Sequence, residues 1–135
     1  MADSAAATAG LQATGIAPGF TASDLQKSLH FYTEGLGFEI TERNEENGVL
    51  RFAMLKAGVA HLGIGQDDFA KGRDRVKGVG MRTWITTQQD IHALAERAKA
   101  AGIKLDSEPA PLPWGPLGFA VTDPDGFQLT ISNEG

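Results

Sequence analysis

The sequence contains no cysteine. Disulfide bonds, thiolate nucleophiles and Cys-ligated zinc or iron–sulfur sites are therefore excluded. No apolar run approaches the roughly 20 residues that a membrane-spanning helix needs. The opening residues, MADSAAATAGLQA, lack the basic start and apolar block of a secretory signal. We therefore expect a flexible N-terminal tail over residues 1–14, a cytoplasmic location and no membrane partner.

Positive charge is also scarce, because 17 acidic residues outnumber 12 basic ones and give a net charge of −5. Acidic pairs stand at Glu45-Glu46 and Asp67-Asp68, and we expect all four side chains to be solvated surface. This balance repels a phosphate backbone, which argues against a nucleic-acid partner. A neutral or cationic small molecule is easier to accommodate. The 41% hydrophobic content and the length of 135 residues predict one globular domain over residues 15–135.

Two copies of one βαβββ plan follow each other along the chain, in modules at about 15–65 and 79–133. The first has strands at 16–22, 38–43, 50–56 and 59–65, with a helix from Asp24 to Gly37 and a two-residue hairpin loop, Ala57-Gly58. The second has strands at 79–86, 103–106, 117–121 and 127–132, with a helix at 88–101 that starts in a capping-box pattern at Thr87. One such unit cannot cover both faces of its sheet. We therefore predict an α+β fold in which two modules form a cupped, open mixed sheet with helices outside and a cleft inside.

Two segments carry a resemblance to a known family. SDLQKSLHFYTEGLGFEI resembles the first-module signature of the vicinal oxygen chelate superfamily, which contains glyoxalase I, bleomycin-resistance proteins and extradiol dioxygenases. PWGPLGFAVTDPDGFQLTI resembles the second-module signature. The resemblance implies the fold just described and a homodimer whose clefts are completed between subunits. It is less specific for function, because this fold hosts lyases, isomerases, dioxygenases, thiol transferases and metal-free drug-binding proteins.

Members that use a divalent metal carry one His, Gln or Glu at each of four strand positions. By the resemblance these positions fall on Ala17, on His61, on Thr83 (or Gly80 or Arg82 in another register) and on Thr130. Only His61 is a plausible ligand, whereas a catalytic metal site uses about three or more. Glyoxalase-type proton abstraction also needs a carboxylate in the cleft, and neither Ala17 nor Thr130 supplies one. The sequence therefore predicts neither a metal nor another cofactor.

The predicted cleft is apolar with a few polar points. Counting from the hairpin loops pairs Met54 with His61, Phe52 with Gly63, Phe119 with Thr130 and Val121 with Gln128. The expected ligand-binding residues are Phe52, Met54, His61, Phe119, Gln128 and Thr130, beside Val121, with Trp114 at the rim and Trp84 as a second stacking platform if it points inward. Arg82 would accompany Trp84. The plainer interpretations stay open: His61 satisfied by a backbone carbonyl, Phe52, Met54 and Phe119 as core, and DPDG as a simple turn.

Three functions are compatible with these residues. The first is a metal-free, glyoxalase-like small-molecule-binding protein of the bleomycin-resistance type, which sequesters an aromatic or cationic compound in its cleft. The alternative is an enzyme of the glyoxalase I-like lyase, isomerase or dioxygenase kind, with a divalent metal near His61. A structural or regulatory domain without a ligand is the third. The empty ligand positions favour the first, with no catalytic residues assigned.

Overall fold

The computed structural model describes residues 10–134 and has an α+β fold built from two four-stranded mixed sheets. The first unit consists of β1 (Gly19–Ala22), α1 (Leu25–His30), a π-helical turn (Phe31–Gly35), β2 (Glu39–Glu46), β3 (Val49–Ala57) and β4 (Ala60–Gln66). The second consists of β5 (Arg82–Thr87), α2 (Ile91–Ala100), β6 (Ser107–Pro111), β7 (Leu117–Thr122) and β8 (Gln128–Asn133). The predicted α+β class and the two βαβββ units are confirmed. Of the predicted tail, residues 1–9 lie outside the described residues, so that prediction remains a prediction.

The first helix is shorter than its hydrophobic stripe predicts. Asp24 caps it by accepting a hydrogen bond from the Lys27 backbone N–H, and α1 then runs only from Leu25 to His30. The chain continues as a π-helical turn that ends when the Leu36 N–H bonds to the carbonyl of Phe31. The wider turn inserts an extra residue per turn. Both Phe31 and Tyr32 are buried there.

The second helix begins at a cap three residues later than predicted. The carboxylate of Asp90 accepts hydrogen bonds from the backbone N–H groups of His92 and Ala93, at 2.9 and 3.3 Å. This is standard N-cap chemistry. Thr87 instead closes a local turn by accepting from the Gln89 N–H.

Each sheet places its two helix-flanking strands side by side. The strand orders are β1-β4-β3-β2 and β5-β8-β7-β6, and the β1/β4 and β5/β8 pairs are parallel. The strand predicted at 103–106 lies at Ser107–Pro111 instead. Its two prolines are tolerated because β6 is an edge strand, where a missing N–H breaks no ladder.

One continuous core joins the two units. The helices cover one face of each sheet, and the buried residues of both units form a single cluster. Phe20 of β1 stacks on Phe127, just before β8, with ring centroids 4.2 Å apart. The opposite face of each sheet carries no helix formed by residues 10–134, and we call it the helix-free face.

The connector between the units, residues 67–78, is fixed at both ends. At its start the Asp67 carboxylate lies 3.1 Å from the Lys77 ammonium, and both side chains are buried. Asp67 is therefore not the solvated side chain that the sequence predicts. Lys77 also donates to the hydroxyl of Ser23 at 3.1 Å. At the far end, the backbone of Gly78 packs against that of Gly126 so closely that a Cβ would collide with it.

No helix within residues 10–134 is both long enough and apolar enough to cross a membrane.

Candidate ligand-binding site

The strand β5 places Trp84 on the helix-free face of the second sheet. Its register with β8 sets Arg82 beside Gln128 and Trp84 beside Thr130. Residues paired in this way share one face of a sheet. The face of Trp84, which the sequence leaves open, is therefore the face of Gln128 and Thr130. No helix in the described part of the chain covers this face, and 65% of the Trp84 surface is exposed.

A second tryptophan stands against the first. Trp114 lies in the loop between β6 and β7, which is closed by hydrogen bonds from Leu112 N to the Pro116 carbonyl and from Gly115 N to the Leu112 carbonyl, both 2.8 Å. The ring centroids of Trp84 and Trp114 are 6.4 Å apart and their planes make an angle of 79°. Trp114 is 61% exposed. The two indoles thus form a right-angled aromatic corner that faces outward.

This aromatic corner forms part of a cavity of about 400 Å³. Its polar lining residues are Arg82, Asp106, Thr122, Gln128 and Thr130. The Arg82 Nε donates to the Gln128 side-chain oxygen at 3.2 Å, which holds the guanidinium along the sheet. Asp106 was missed by the sequence analysis, which assigned it to a strand. An aromatic wall with a few fixed polar groups suits a flat organic molecule.

The helix-free face of the first sheet carries His61, Phe52 and Met54, as predicted, but their partners differ. Phe52 pairs with Gly65, Met54 with Gly63 and Lys56 with His61. The hairpin loop is Gly58-Val59 and not Ala57-Gly58, so every predicted partner is wrong by two residues. A shift of two residues preserves the face because side chains alternate with period two.

The predicted pairs Phe119–Thr130 and Val121–Gln128 are wrong by one residue, which reverses the face. Phe119 pairs with Ile131 and Val121 with Leu129, and both Phe119 and Val121 are completely buried in the core. The reason is the length of the turn. The Asp123 side chain accepts from the backbone N–H groups of Asp125 and Phe127, so the loop spans five residues. Phe119 is therefore not a wall of the cleft.

The structure brings some of the predicted residues together and separates others. His61 and Trp84 line one cavity of about 450 Å³ at the junction of the two sheets, with Thr14, Gly15 and Ile16. Phe52 and Met54 line neither this cavity nor that of the aromatic corner. They pack over Gly63, where an added Cβ would lie 2.9 Å from the Phe52 ring.

The four metal-ligand positions do not fit a divalent ion. Ala17 and His61 do line a common recess, but Lys56 lines it too and lies directly opposite His61 in the ladder. Its ammonium opposes cation binding. Thr83 pairs with the buried Leu129 and so shares the core face, which leaves Gly80, just before β5, or Arg82 at the fifth-strand position. Residues 10–134 hold no cluster of three or more His, Asp or Glu side chains that could bind a metal.

The fold and the aromatic corner define a two-module α+β protein with an open apolar site. A family model described as "Glyoxalase/Bleomycin resistance protein/Dioxygenase superfamily" matches residues 13–131. The chain therefore belongs to this superfamily, as its module signatures predict.

Similar proteins include both named enzymes and structures of unstated activity. A "Probable lactoylglutathione lyase" of Vibrio cholerae is 31% identical over 120 residues, which cover 80% of this chain and 81% of that protein. "Lactoylglutathione lyase GLX1" of Arabidopsis thaliana is 26% identical over 86% of this chain, which spans only 42% of that protein. The crystal structure of TioX from Micromonospora sp. ML1 superposes with a TM-score of 0.72 at 18% identity, over 90% of this chain and 98% of that one. The structure of a "glyoxalase-related enzyme" from Fulvimarina pelagi superposes with a TM-score of 0.70 at 22% identity, over 90% of this chain and 89% of that one. At these identities the structures show the fold alone.

Proposed function

We propose that the protein is a metal-free small-molecule-binding protein that sequesters an aromatic or cationic compound against the helix-free face of its second sheet. The observation that carries this proposal is the aromatic corner of Trp84 and Trp114. Two large indoles more than 60% exposed on one face are unfavourable in water unless something covers them. Their perpendicular planes offer a stacking face and an edge contact to the same ring.

The polar residues around the corner support binding rather than catalysis. Gln128 and Thr130 offer hydrogen bonds at fixed positions on β8, next to Arg82 and Trp84 on β5. Groups held by sheet backbone give a ligand orientation and specificity. One lining hydroxyl, that of Thr122, donates to the Asp106 carboxylate, but no third side chain within residues 10–134 orients that carboxylate, as a base in covalent catalysis requires.

The test uses the intrinsic fluorescence of the protein. The sequence has only two tryptophans, and both are in the corner, so quenching reports on this site alone. We expect planar aromatic and cationic compounds, bleomycin among them, to quench the emission and to give a calorimetric binding signal. Trp84→Ala should weaken binding by about fivefold to a hundredfold, because stacking on an indole contributes about 1–3 kcal/mol. Lys27→Ala, on the exposed side of α1, is the control. Absence of binding across such a panel would end the proposal.

We also propose that two copies of the chain form a homodimer. Within residues 10–134, β1 and β5 each pair with a neighbour on one side only. Near these open edges Ile16 is 87% and Val59 96% exposed. Free strand edges beside exposed apolar side chains are typical of surfaces that associate. Light scattering on the eluting protein should give twice the chain mass of 14.3 kDa, and a single-chain mass would contradict a dimer.

A second candidate function is that of a glyoxalase I-like lyase or a related isomerase or dioxygenase. It is favoured by the names of the Vibrio cholerae and Arabidopsis relatives. The residues at the four metal-ligand positions do not support an enzyme of this kind, because His61 is the only one of them that commonly binds a metal ion. Metal analysis of protein purified without chelator distinguishes the two functions. One bound divalent ion per chain, lost in His61→Ala, together with lactoylglutathione formation would favour the enzyme.

A further inference from the structure

Among residues 10–134, Asp106 is the only carboxylate that lines the cavity of the aromatic corner. Its backbone N–H donates to the Ala120 carbonyl at 2.8 Å, which anchors the residue beside β7. Its Oδ2 accepts a short hydrogen bond of 2.5 Å from the hydroxyl of Thr122. The other oxygen, Oδ1, has no hydrogen-bond partner within residues 10–134. The exposed Asp106 side chain, which lines the cavity together with both indoles, therefore has one acceptor oxygen without a partner among the described residues.

We propose that Asp106 makes this site selective for planar aromatic rings that carry a positive charge shared with N–H groups. This inference rests on the proposed function and narrows it, because it requires the ligand to be aromatic and cationic at once. The faces of the two indoles are electron-rich and attract a delocalised cation. A carboxylate that accepts from an ammonium or amidinium N–H makes a stronger hydrogen bond than it would with a neutral donor. Neither contribution favours a neutral or anionic ring.

The position of Arg82 orients such a ligand. Arg82 lines the same cavity, and its Nε bond to Gln128 fixes the guanidinium on the β5/β8 side. Asp106 is held on the β7 side by Thr122. An amine is repelled by the guanidinium and attracted by the carboxylate, so it points toward Asp106. The edge of the ring that faces Arg82 then offers a hydrogen-bond acceptor, such as a ring nitrogen or a carbonyl oxygen.

The experiment compares acridine with proflavine, which has the same ring system and two amino groups. Those groups make the ring nitrogen of proflavine basic enough to be protonated, and they share its positive charge. In a mildly alkaline buffer acridine is neutral and proflavine is cationic. Binding is followed by tryptophan quenching and by calorimetry on the full chain. We expect proflavine to bind about tenfold more tightly than acridine. Asp106→Asn should remove most of that preference by weakening proflavine about three- to tenfold while leaving acridine unchanged.

Asp74→Asn is the matched control, because it makes the same chemical change on the exposed part of the connector. It should leave both affinities unchanged. Circular dichroism and the urea midpoint confirm that Asp106→Asn folds. If both probes bind wild-type protein equally, or if Asp106→Asn keeps the preference, the role of Asp106 is refuted while the binding function stands. If neither probe binds, both proposals fail together.

Discussion

The hydroxyl of Tyr32 donates a hydrogen bond of 2.8 Å to Oδ2 of Asp123, and both residues are buried. The contact joins the π-helical turn of the first unit to the turn before β8 in the second. Burial raises the pKa of the Asp123 carboxyl, whereas hydrogen bonds from Phe127, Tyr32 and Asp125 act in the opposite direction. Burial and the nearby Asp123 carboxylate raise the pKa of Tyr32. Tyr32 therefore stays neutral and acts as a donor.

Tyr32→Phe should lower the free energy of unfolding by about 1–3 kcal/mol, because it removes the donor from Oδ2 of the buried Asp123 carboxylate. The pKa of Asp123 should rise further, since the Tyr32 hydrogen bond lowers it. A carboxyl whose pKa is raised by folding contributes stability that is present below its unfolded pKa and is lost as the pH rises through its folded pKa. The mutant should therefore lose more stability near neutral pH than in acid. Urea unfolding of both proteins across pH measures this, and an equal loss at every pH would contradict it.

Asp67 should give the opposite pH dependence. Hydrogen bonds from the Phe69 backbone and the Lys77 ammonium hold the pKa of this carboxyl below its ordinary value. Its contribution to stability is therefore present above the ordinary Asp pKa and is lost as the pH falls through the lowered value. Asp67→Asn should lower the urea midpoint at neutral pH, and the difference from wild type should shrink in strong acid. Asp68→Asn, at the exposed neighbouring position, should have a much smaller effect.

The assignment of Phe119 to the core and of Trp114 to the site can be tested with two truncations. Phe119→Ala removes a completely buried ring and should cost about 3–5 kcal/mol of stability. Trp114→Ala removes an exposed ring and should change the free energy of unfolding by less than about 1 kcal/mol. Binding of planar aromatic probes should be lost only in Trp114→Ala when both proteins are folded. Equal destabilisation by the two changes would refute this assignment.

The close contact between Gly78 and Gly126 predicts that adding one methyl group at residue 78 lowers the stability of the protein strongly. Gly78 has a φ of +74°, and its Cβ would collide with the Gly126 backbone. Gly72, in the same connector, also has a positive φ, of +99°, but a Cβ there meets open space. Gly72→Ala should cost about 1 kcal/mol for the left-handed backbone alone. Gly78→Ala should cost more than about 2 kcal/mol because the packing must also open. Similar urea midpoints for the two variants would contradict the close approach.

Local sequence patterns predict the helices and strands of the fold. The wrong predictions of strand pairing come from the lengths of the hairpin loops. Asp24 before an apolar stripe indicates a helix start, and that start is where the structure has it. The register of a hairpin depends on how many residues form its loop. One extra residue in the loop at 123–127 moves Phe119 from the site to the core. The extra loop residue, Phe127, donates its backbone N–H to the Asp123 side chain. The amino-acid sequence alone does not reveal this hydrogen bond.

The candidate site was predicted only in part. Strand alternation alone could not assign a face to Trp84, because its neighbours Thr83 and Ile85 are compatible with either face. The pairing of β5 with β8 decides it. No sequence pattern around Asp106 indicates that this residue belongs to the site. It becomes part of the cavity because β6 begins at Ser107, four residues later than predicted, and Thr122 holds the Asp106 side chain.

The anchored connector has a consequence for how the chain can be divided. Its middle, around Lys71–Asp74, is exposed, while Asp67, Lys77 and Gly78 fix its ends. The stacked rings of Phe20 and Phe127 join the halves independently of the connector. The peptide bond there is thus not what keeps the two units together. Two fragments ending and starting near residue 72 should reassemble without a covalent link, which would make the protein a natural candidate for fragment complementation.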